Sequence, residues 1–193
     1  MTKTRLEAFS DAVIAVIITV MVLELKVPHG GDWAAVKPLM PVFLTYVLSF
    51  VFLGIYWNNH HHMLHAADRI NGGILWANLH LLFWLSLIPF TTGWMGENHW
   101  APLPVAVYGA VLLCSAVAYT ILQSRIIAHH GRDSKLARAV GSDVKGLASM
   151  VAYLIAIPAA FFMTPLSLAV YVLIALVWLA PDPRIERQEH AKH

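Results

Sequence analysis

Residues 12–23 of the chain read AVIAVIITVMVL, a run of twelve uncharged residues between Asp11 and Glu24. As an α-helix with a rise of about 1.5 Å per residue, this run is about 18 Å long, shorter than the roughly 30 Å hydrocarbon core of a bilayer. An ionisable side chain inside a bilayer is costly and usually faces protein or water. The run therefore predicts a helix in the interior of a membrane-embedded bundle. The alternative is a short tilted helix with Asp11 and Glu24 in the headgroup regions.

This first helix carries a nearly continuous apolar stripe. A period of 3.6 residues places seven positions on one face. They are Arg5, Phe9, Ala12, Val16, Thr19, Val20 and Leu23. Such a stripe is typical of a seam between packed helices, as in a scaffold subunit without transport activity, and it also fits the wall of a pore. Spacing alone does not decide between these two interpretations.

The whole chain has the composition of a membrane protein. Of its 193 residues, 59% are hydrophobic and only 12% are charged, so it cannot form the polar surface of a soluble domain. Six apolar runs have lengths near that of a membrane span, and we predict one all-α domain over residues 1–193. The predicted spans are 9–27, 39–57, 74–94, 103–123, 146–163 and 166–180. Because proline ends a helix, Thr164-Pro165 predicts a tight hairpin between the last two.

The basic residues lie mostly on one side of these spans. Of the 13 Lys and Arg residues, only Lys26 and Lys37 fall on the side opposite to the N-terminus. Because Lys and Arg are retained on the cytoplasmic side, both termini are predicted to be cytoplasmic. We predict that the protein is a multi-pass protein of the cell membrane. No small-residue cleavage site follows the first apolar run, so we expect that run to be retained.

Several functional classes lack support in the sequence. The net charge is only +2, and the charged residues lie between the apolar runs, which argues against a nucleic-acid partner. The single cysteine, Cys114, excludes an intramolecular disulfide and a metal or redox motif built on cysteines. The chain contains no nucleophile elbow, glycine-rich phosphate loop or catalytic carboxylate pair. We therefore predict neither an enzyme nor a bound cofactor.

Polar residues gather at one end of the first three spans, at similar predicted depth. They are Arg5, Ser10 and Asp11 in the first, Asn58, Asn59 and His60 in the second, and Asn78 and His80 in the third. Because buried polar groups need partners, these residues predict a network that joins the three helices as a structural lock. Asn78 and His80 are about 200° apart on a helix, so at most one of them faces the first span.

Four histidines end the second span, namely His60, His61, His62 and His65. His61 and His65, at i and i+4, have the spacing of two ligands that share a metal ion. A histidine cluster at the end of a span is, however, more typical of a polar edge at the membrane interface. Together with Asp11, the cluster His60 to His65 motivates an alternative function, a proton- or metal-ion-coupled transporter.

Segment 5–11, RLEAFSD, resembles the RxxxFSD signature of the transmembrane protein 175 family of potassium channels. Further similarity lies in 23–28 (LELKVP), 56–60 (YWNNH) and 87–90 (LIPF), and in Asn78-Leu79. The resemblance thus covers the first half of the chain well, and the second half in the number and size of spans. It implies a single six-span unit of the prokaryotic type, which forms a homotetramer with the first helix of each subunit lining a central pore.

The resemblance also implies roles for individual residues. Counted from Asp11, Val16 is the constriction, Thr19 is a layer of hydroxyl groups, and Val20 and Leu23 continue the pore lining. Arg5, Phe9, Ser10 and Asp11 belong to the signature. Family members usually carry Ile or Leu at the position of Val16, which leaves Val16, Val20 and Leu23 as alternatives for the narrowest point. The expected function is a potassium-selective cation channel with a hydrophobic constriction, whose partners are membrane lipid and permeant K⁺.

Overall fold

The structure is a computed structural model that describes residues 2–131, 134–140 and 143–179. Within these ranges the chain is all-α, and no β-strand is present. The helices are α1 (Lys3–Leu23), α2 (Trp33–Val36), α3 (Met40–His65), α4 (Gly72–Ser86), α5 (Ile88–Glu97), α6 (Pro102–His130), α7 (Lys135–Val140), α8 (Val144–Ala159) and α9 (Thr164–Leu179). Residue 180 and the predicted cytoplasmic tail lie outside the described residues.

Four helical stretches are long and apolar enough to cross a membrane by length and composition. They are Lys3–Leu23, Trp33–His65, Gly72–Glu97 and Pro102–His130. The apolar helices α8 and α9 have 16 residues each, or about 24 Å of helix, and are joined by the turn 160–163. That all six cross the bilayer stays a prediction.

The helix bounds differ from the predicted runs because hydropathy marks apolar side chains, whereas a helix continues as long as its backbone hydrogen bonds do. The first helix ends at Leu23 instead of 27. α3 continues to His65, eight residues beyond 57, and therefore carries the polar segment 58–65 in helical form. α6 likewise continues to His130, beyond 123.

α6 lies at the centre of the protomer, where it packs against α4, α5, α8 and α9. Its Gly109 allows a close approach of α9, since a Cβ atom at this position would overlap the Tyr171 hydroxyl group. That hydroxyl donates to the carbonyl oxygen of Val105 at 3.2 Å, so the closely packed Tyr171 side chain is also hydrogen-bonded.

α1 lies at one edge of the protomer and packs against α3, α4 and α5. Beyond its C-terminus, Lys26 Nζ forms an ion pair with Glu97 Oε1 at 2.6 Å, which ties the segment after α1 to the end of α5. The Glu97 carboxylate raises the pKa of Lys26 above its usual value, because it accepts a hydrogen bond from the ammonium group. Both ends of α1 are therefore held by its own protomer, since Lys3 Nζ also donates to the His65 carbonyl oxygen at 2.9 Å.

Candidate ion pathway along the first helix

α1 buries one face against its own protomer and leaves the opposite face open. The buried residues recur every three or four positions, as expected for one side of a helix. They are Leu6, Ser10, Ile14, Ile17 and Met21. The sequence stripe that includes Val16 and Leu23 lies on the other side, so it is not the seam by which α1 packs within its protomer.

The four residues predicted to line a pore all lie on this open face. In the single chain, Val16 is 58% exposed, Val20 39% and Leu23 80%, and Thr19 is exposed as well. Arg5, which is the charged residue of the stripe, is also exposed. An apolar helix face of this kind needs a cover, which lipid or further copies of the chain would supply.

Thr19 adds a polar group to this otherwise apolar face. Its hydroxyl donates to the backbone carbonyl oxygen of Val16, one turn earlier, at 2.9 Å. Because the hydroxyl proton is directed to the backbone, the oxygen lone pairs are left to accept from water or to face a cation. The open face thus combines apolar side chains with one oxygen per chain.

A buried network joins α1, α3 and α4 near the start of α1. Asn78 Nδ2 donates to Ser10 Oγ at 2.9 Å, and His60 Nε2 lies 2.7 Å from Asn78 Oδ1. Because Asn78 Oδ1 accepts, the hydrogen-bonding pattern places a proton on His60 Nε2. The Ser10 hydroxyl in turn donates to the Leu6 carbonyl oxygen at 2.9 Å. All three polar side chains are buried, and among the described residues no buried side-chain nitrogen or oxygen lacks a hydrogen-bond partner.

Asp11 contacts Trp57, which was not among the residues predicted to form the network. Trp57 Nε1 donates to Asp11 Oδ1 at 3.0 Å, which links α1 to α3 a second time. The sequence spacing could have indicated this contact. Trp57 is three residues before His60, so both side chains lie on the same face of α3.

Other residues grouped with this network in the sequence lie elsewhere. His80 is exposed and accepts a hydrogen bond from Trp84 Nε1 at 2.9 Å, one turn along the same helix. It points away from α1 because it is about 200° from Asn78, the residue that does face α1. Arg5 lies on the open face of α1, away from Asn78, and Phe9 lies beside it on that face, 45% exposed.

The histidine cluster does not assemble a metal site. His61 and His65 stack with ring centroids 6.2 Å apart, whereas His60 is turned inward to Asn78. Throughout the part of the chain that the structure describes, no three His, Cys, Asp or Glu side chains are grouped to hold a metal ion. The geometry therefore offers no support for metal-coupled transport.

Comparison with known proteins identifies the fold and the family. The family model described as "Endosomal/lysosomal potassium channel TMEM175" matches residues 5–89, the range that contains most of α1 and the buried network. A protein named as a potassium channel from Chryseobacterium sp. is 54% identical over 187 residues, 97% of each chain. One from Streptomyces collinus, also named as a potassium channel, is 31% identical and aligns over 90% of each chain.

A solved structure supports the same assignment. The crystal structure of a lysosomal potassium-selective channel TMEM175 homolog from Chamaesiphon minutus superposes with a TM-score of 0.81 at 27% sequence identity. The superposition covers 92% of this chain and 96% of that chain, so the likeness extends over the second half as well as the first. The chain belongs to the TMEM175 family of potassium channels.

Proposed function

We propose that this protein is a potassium-selective cation channel of the cell membrane, a homotetramer in which four α1 helices surround the ion pathway. The observation that carries the proposal is the one-sided burial of α1. Its protomer covers the Leu6 to Met21 face and leaves the Val16, Thr19 and Leu23 face open. The high identity to a protein named as a potassium channel supports the same function.

The open face calls for further copies of the chain, because one helix presents a surface and not an enclosed pathway. Closed rotational symmetry brings the same face of every subunit to a common axis. Four α1 helices then form rings of equivalent side chains, with a ring at Val16, a ring of Thr19 oxygens and a ring at Leu23.

Selectivity arises in this proposal from partial dehydration. A K⁺ ion that crosses a narrow apolar ring must shed or deform part of its water shell, and Na⁺ holds its shell more tightly. The Thr19 oxygen, whose proton is directed to the Val16 carbonyl, replaces some of the lost water. Discrimination is modest because the side chains supply only one layer of oxygens. The same apolar ring is able to close the pathway by dewetting.

The buried network has a structural role in this scheme. Ser10, His60 and Asn78 fix the rotation of α1 about its axis, since any rotation would break hydrogen bonds in a buried place. The rotation of α1 decides which side chains face the axis. The network therefore sets the lining of the pathway without contacting the ion.

The test is ion flux into liposomes that contain the purified protein. The wild-type protein is expected to pass K⁺ faster than Na⁺, and Val16→Ala is expected to change the ratio of the two rates. Val22→Ala is the matched control, because Val22 is also exposed on α1 but lies about 120° from Val16 around the helix. Absence of flux from the wild-type protein would refute the channel. Equal ratios in all three proteins would remove Val16 from the selective region.

A further inference from the structure

The connection between α3 and α4, residues 66–71, is hydrogen-bonded to the last turn of α6 through His130. Nε2 of His130 accepts from the backbone N–H groups of Asp68 and Arg69, at 3.0 and 3.1 Å. Its Nδ1 lies 2.9 Å from the Ile126 carbonyl oxygen, which can only accept, so Nδ1 carries the ring proton. This geometry requires a neutral ring with no proton on Nε2.

The neighbouring His129 makes the same kind of contact. Asn71 Oδ1 accepts from the Ile74 backbone N–H at 2.9 Å, which identifies Nδ2 as the amide nitrogen that donates. Asn71 Nδ2 lies 3.1 Å from His129 Nδ1, so this ring nitrogen accepts and carries no proton. We call the contacts of His129 and His130 with the connection the histidine latch. All three of its hydrogen bonds end on an unprotonated imidazole nitrogen.

Protonation of the two rings removes the acceptors of the histidine latch. A protonated imidazole carries a hydrogen on both nitrogens and accepts no hydrogen bond. Each of the three N–H donors of the connection would then face another N–H group in place of a lone pair. Histidine is the side chain whose charge ordinarily changes between about pH 5 and pH 8. The latch is therefore built from the groups that a moderate change of pH alters.

The position of the two rings also favours the protonated state once the connection has moved. His129 and His130 lie in the last turn of α6. The backbone carbonyl groups at the end of a helix attract a positive charge. His129 is exposed and His130 is partly exposed, so water reaches both rings. The latch thus has two states, with neutral rings bonded to the connection or charged rings at the helix end.

Few charged groups of the described residues lie around the latch. The connection brings Asp68 and Arg69, which are exposed and of opposite sign. Arg125, one turn before His129 on α6, is exposed, and α3 ends at the titratable His65. The first two turns of α4 carry no charged residue. Within the described ranges neither ring of the latch forms an ion pair with a carboxylate, so a proton competes only with the N–H donors of the connection.

The latch lies next to the contacts that hold the start of the first helix. Lys3 Nζ, at the start of α1, donates to the carbonyl oxygen of His65, the residue that directly precedes the connection. At the other end of the connection, Asn71 caps α4. Two turns further along α4, Asn78 donates to Ser10 of α1. A release of the connection therefore acts on two contacts of α1, one at each end of the connection.

We propose that the histidine latch is a proton-binding switch that reduces ion flux when its side of the membrane, the predicted cytoplasmic side, becomes acidic. With neutral rings, the connection is held and the start of α1 keeps its place. With protonated rings, the connection is released and the α1 helices lose their common alignment around the pathway. The effect on flux rests on the proposed channel function, whereas the release of the connection does not.

The first test is amide hydrogen exchange of the purified protein in detergent, followed by mass spectrometry at about pH 7.5 and about pH 5.5. Each rate is divided by that of an unstructured peptide at the same pH. Protection of 66–71 is expected to fall by about tenfold at the lower pH, because the Asp68 and Arg69 amides lose their acceptor. The turn 160–163, which has no titratable side chain, should keep its protection. Equal protection of the connection at both values, or an equal fall in both segments, would overturn the proposal.

A double variant, His129→Asn with His130→Gln, separates titration from the hydrogen bonds. Both new side chains offer an oxygen acceptor in place of the ring nitrogen, and neither titrates. Protection of the connection should then be the same at both pH values. The matched control is His61→Asn with His62→Gln, a second adjacent pair whose rings also meet edge to face, and it should keep the wild-type fall. A wild-type fall in the first double variant would overturn the proposal, because another group would be responsible.

Ion flux tests the consequence for the channel. K⁺ uptake into liposomes with wild-type protein is expected to be several-fold slower at about pH 5.5 than at about pH 7.5, with equal pH on both sides of the membrane. The double variant of the latch should show equal uptake at the two values. Wild-type uptake that is the same at both values would overturn the switch. Absence of uptake at either value would refute the channel function, and the exchange experiment would still decide whether the connection is released.

Discussion

Asn78 Nδ2 donates a hydrogen bond to Ser10 Oγ across 2.9 Å, and both side chains are buried between α1 and α4. This contact orients the first helix, because Ser10 lies on its buried face, about 120° around the helix from Val16. Two short polar side chains thus help to set which surface of α1 the rest of the chain leaves open.

Replacement of Asn78 by leucine should destabilise the protein by about 1 to 3 kcal/mol. The change leaves the Ser10 and His60 polar atoms buried without their partner. The midpoint of thermal unfolding in detergent measures the effect. Asn58→Leu is the matched control, since Asn58 is exposed on α3, and its midpoint should change little. Equal midpoints for the two variants would contradict the structural role of Asn78.

In the proposed channel, Thr19→Val should lower the ratio of K⁺ to Na⁺ permeability, because it keeps the shape of the side chain and removes the hydroxyl oxygen from the open face of α1. The reversal potential of the reconstituted protein under bi-ionic conditions measures this ratio. The control is Thr120→Val, since Thr120 lies on α6 and not on α1. A wild-type ratio in Thr19→Val would exclude the hydroxyl layer from selectivity.

Cysteine at position 16 should form disulfide-linked dimers of subunits on mild oxidation. The proposed tetramer places four copies of α1 around one axis and so brings equivalent positions together. The chain's own cysteine is first removed by Cys114→Ser. The comparison is Leu173→Cys in the same background, because Leu173 is exposed on α9, away from α1. Non-reducing gels show the product. Linkage at 173 without linkage at 16 would place the axis elsewhere.

Gly109→Ala should destabilise the fold by about 1 to 3 kcal/mol, because the new Cβ atom would overlap the Tyr171 hydroxyl group and push α9 from α6. Gly54→Ala is the matched control. Gly54 lies within α3 with no heavy atom within 4 Å of an added Cβ, so alanine there should be neutral or stabilise the helix by up to about 1 kcal/mol. Thermal unfolding distinguishes the two, and equal effects would rule out the close approach.

His130→Phe should speed amide hydrogen exchange in the connection between α3 and α4. His130 Nε2 accepts from the backbone N–H groups of Asp68 and Arg69 at 3.0 and 3.1 Å, while its Nδ1 donates to the Ile126 carbonyl oxygen. A phenylalanine ring accepts neither bond, so both amides should open more often. Mass spectrometry of the peptide over 66–71 gives the rate. His61→Phe, a change at an exposed site on α3, should leave it unaltered.

The sequence was sufficient for the all-α class and for the family, but not for the bounds of the helices. In a bilayer, backbone groups must be satisfied within a segment, so a long apolar run has few alternatives to a helix. The signature at 5–11 and the stripe through Val16 and Leu23 are both local patterns. Local patterns are visible without coordinates, because they depend on residues a few positions apart.

Contacts between helices were less predictable. Spacing showed that Asn78 and His80 were unable to face α1 together, but it did not show which one does. The hydrogen bond from Trp57 to Asp11 was not predicted, because a tryptophan near the end of a span is typical of an anchor at the membrane interface. Which partner a polar side chain finds depends on the rotation and depth of two helices relative to each other, and neither quantity is present in a one-dimensional periodicity.

The amino-acid sequence by itself therefore determined an all-α membrane protein, its apolar stripe on α1 and its family, because each follows from local hydropathy and motif. Only the tertiary structure decided that this stripe is open within the protomer, since that depends on where α3, α4 and α5 pack. Packing likewise brings together Tyr56, Tyr119 and Tyr153, which belong to three helices that are far apart in the chain.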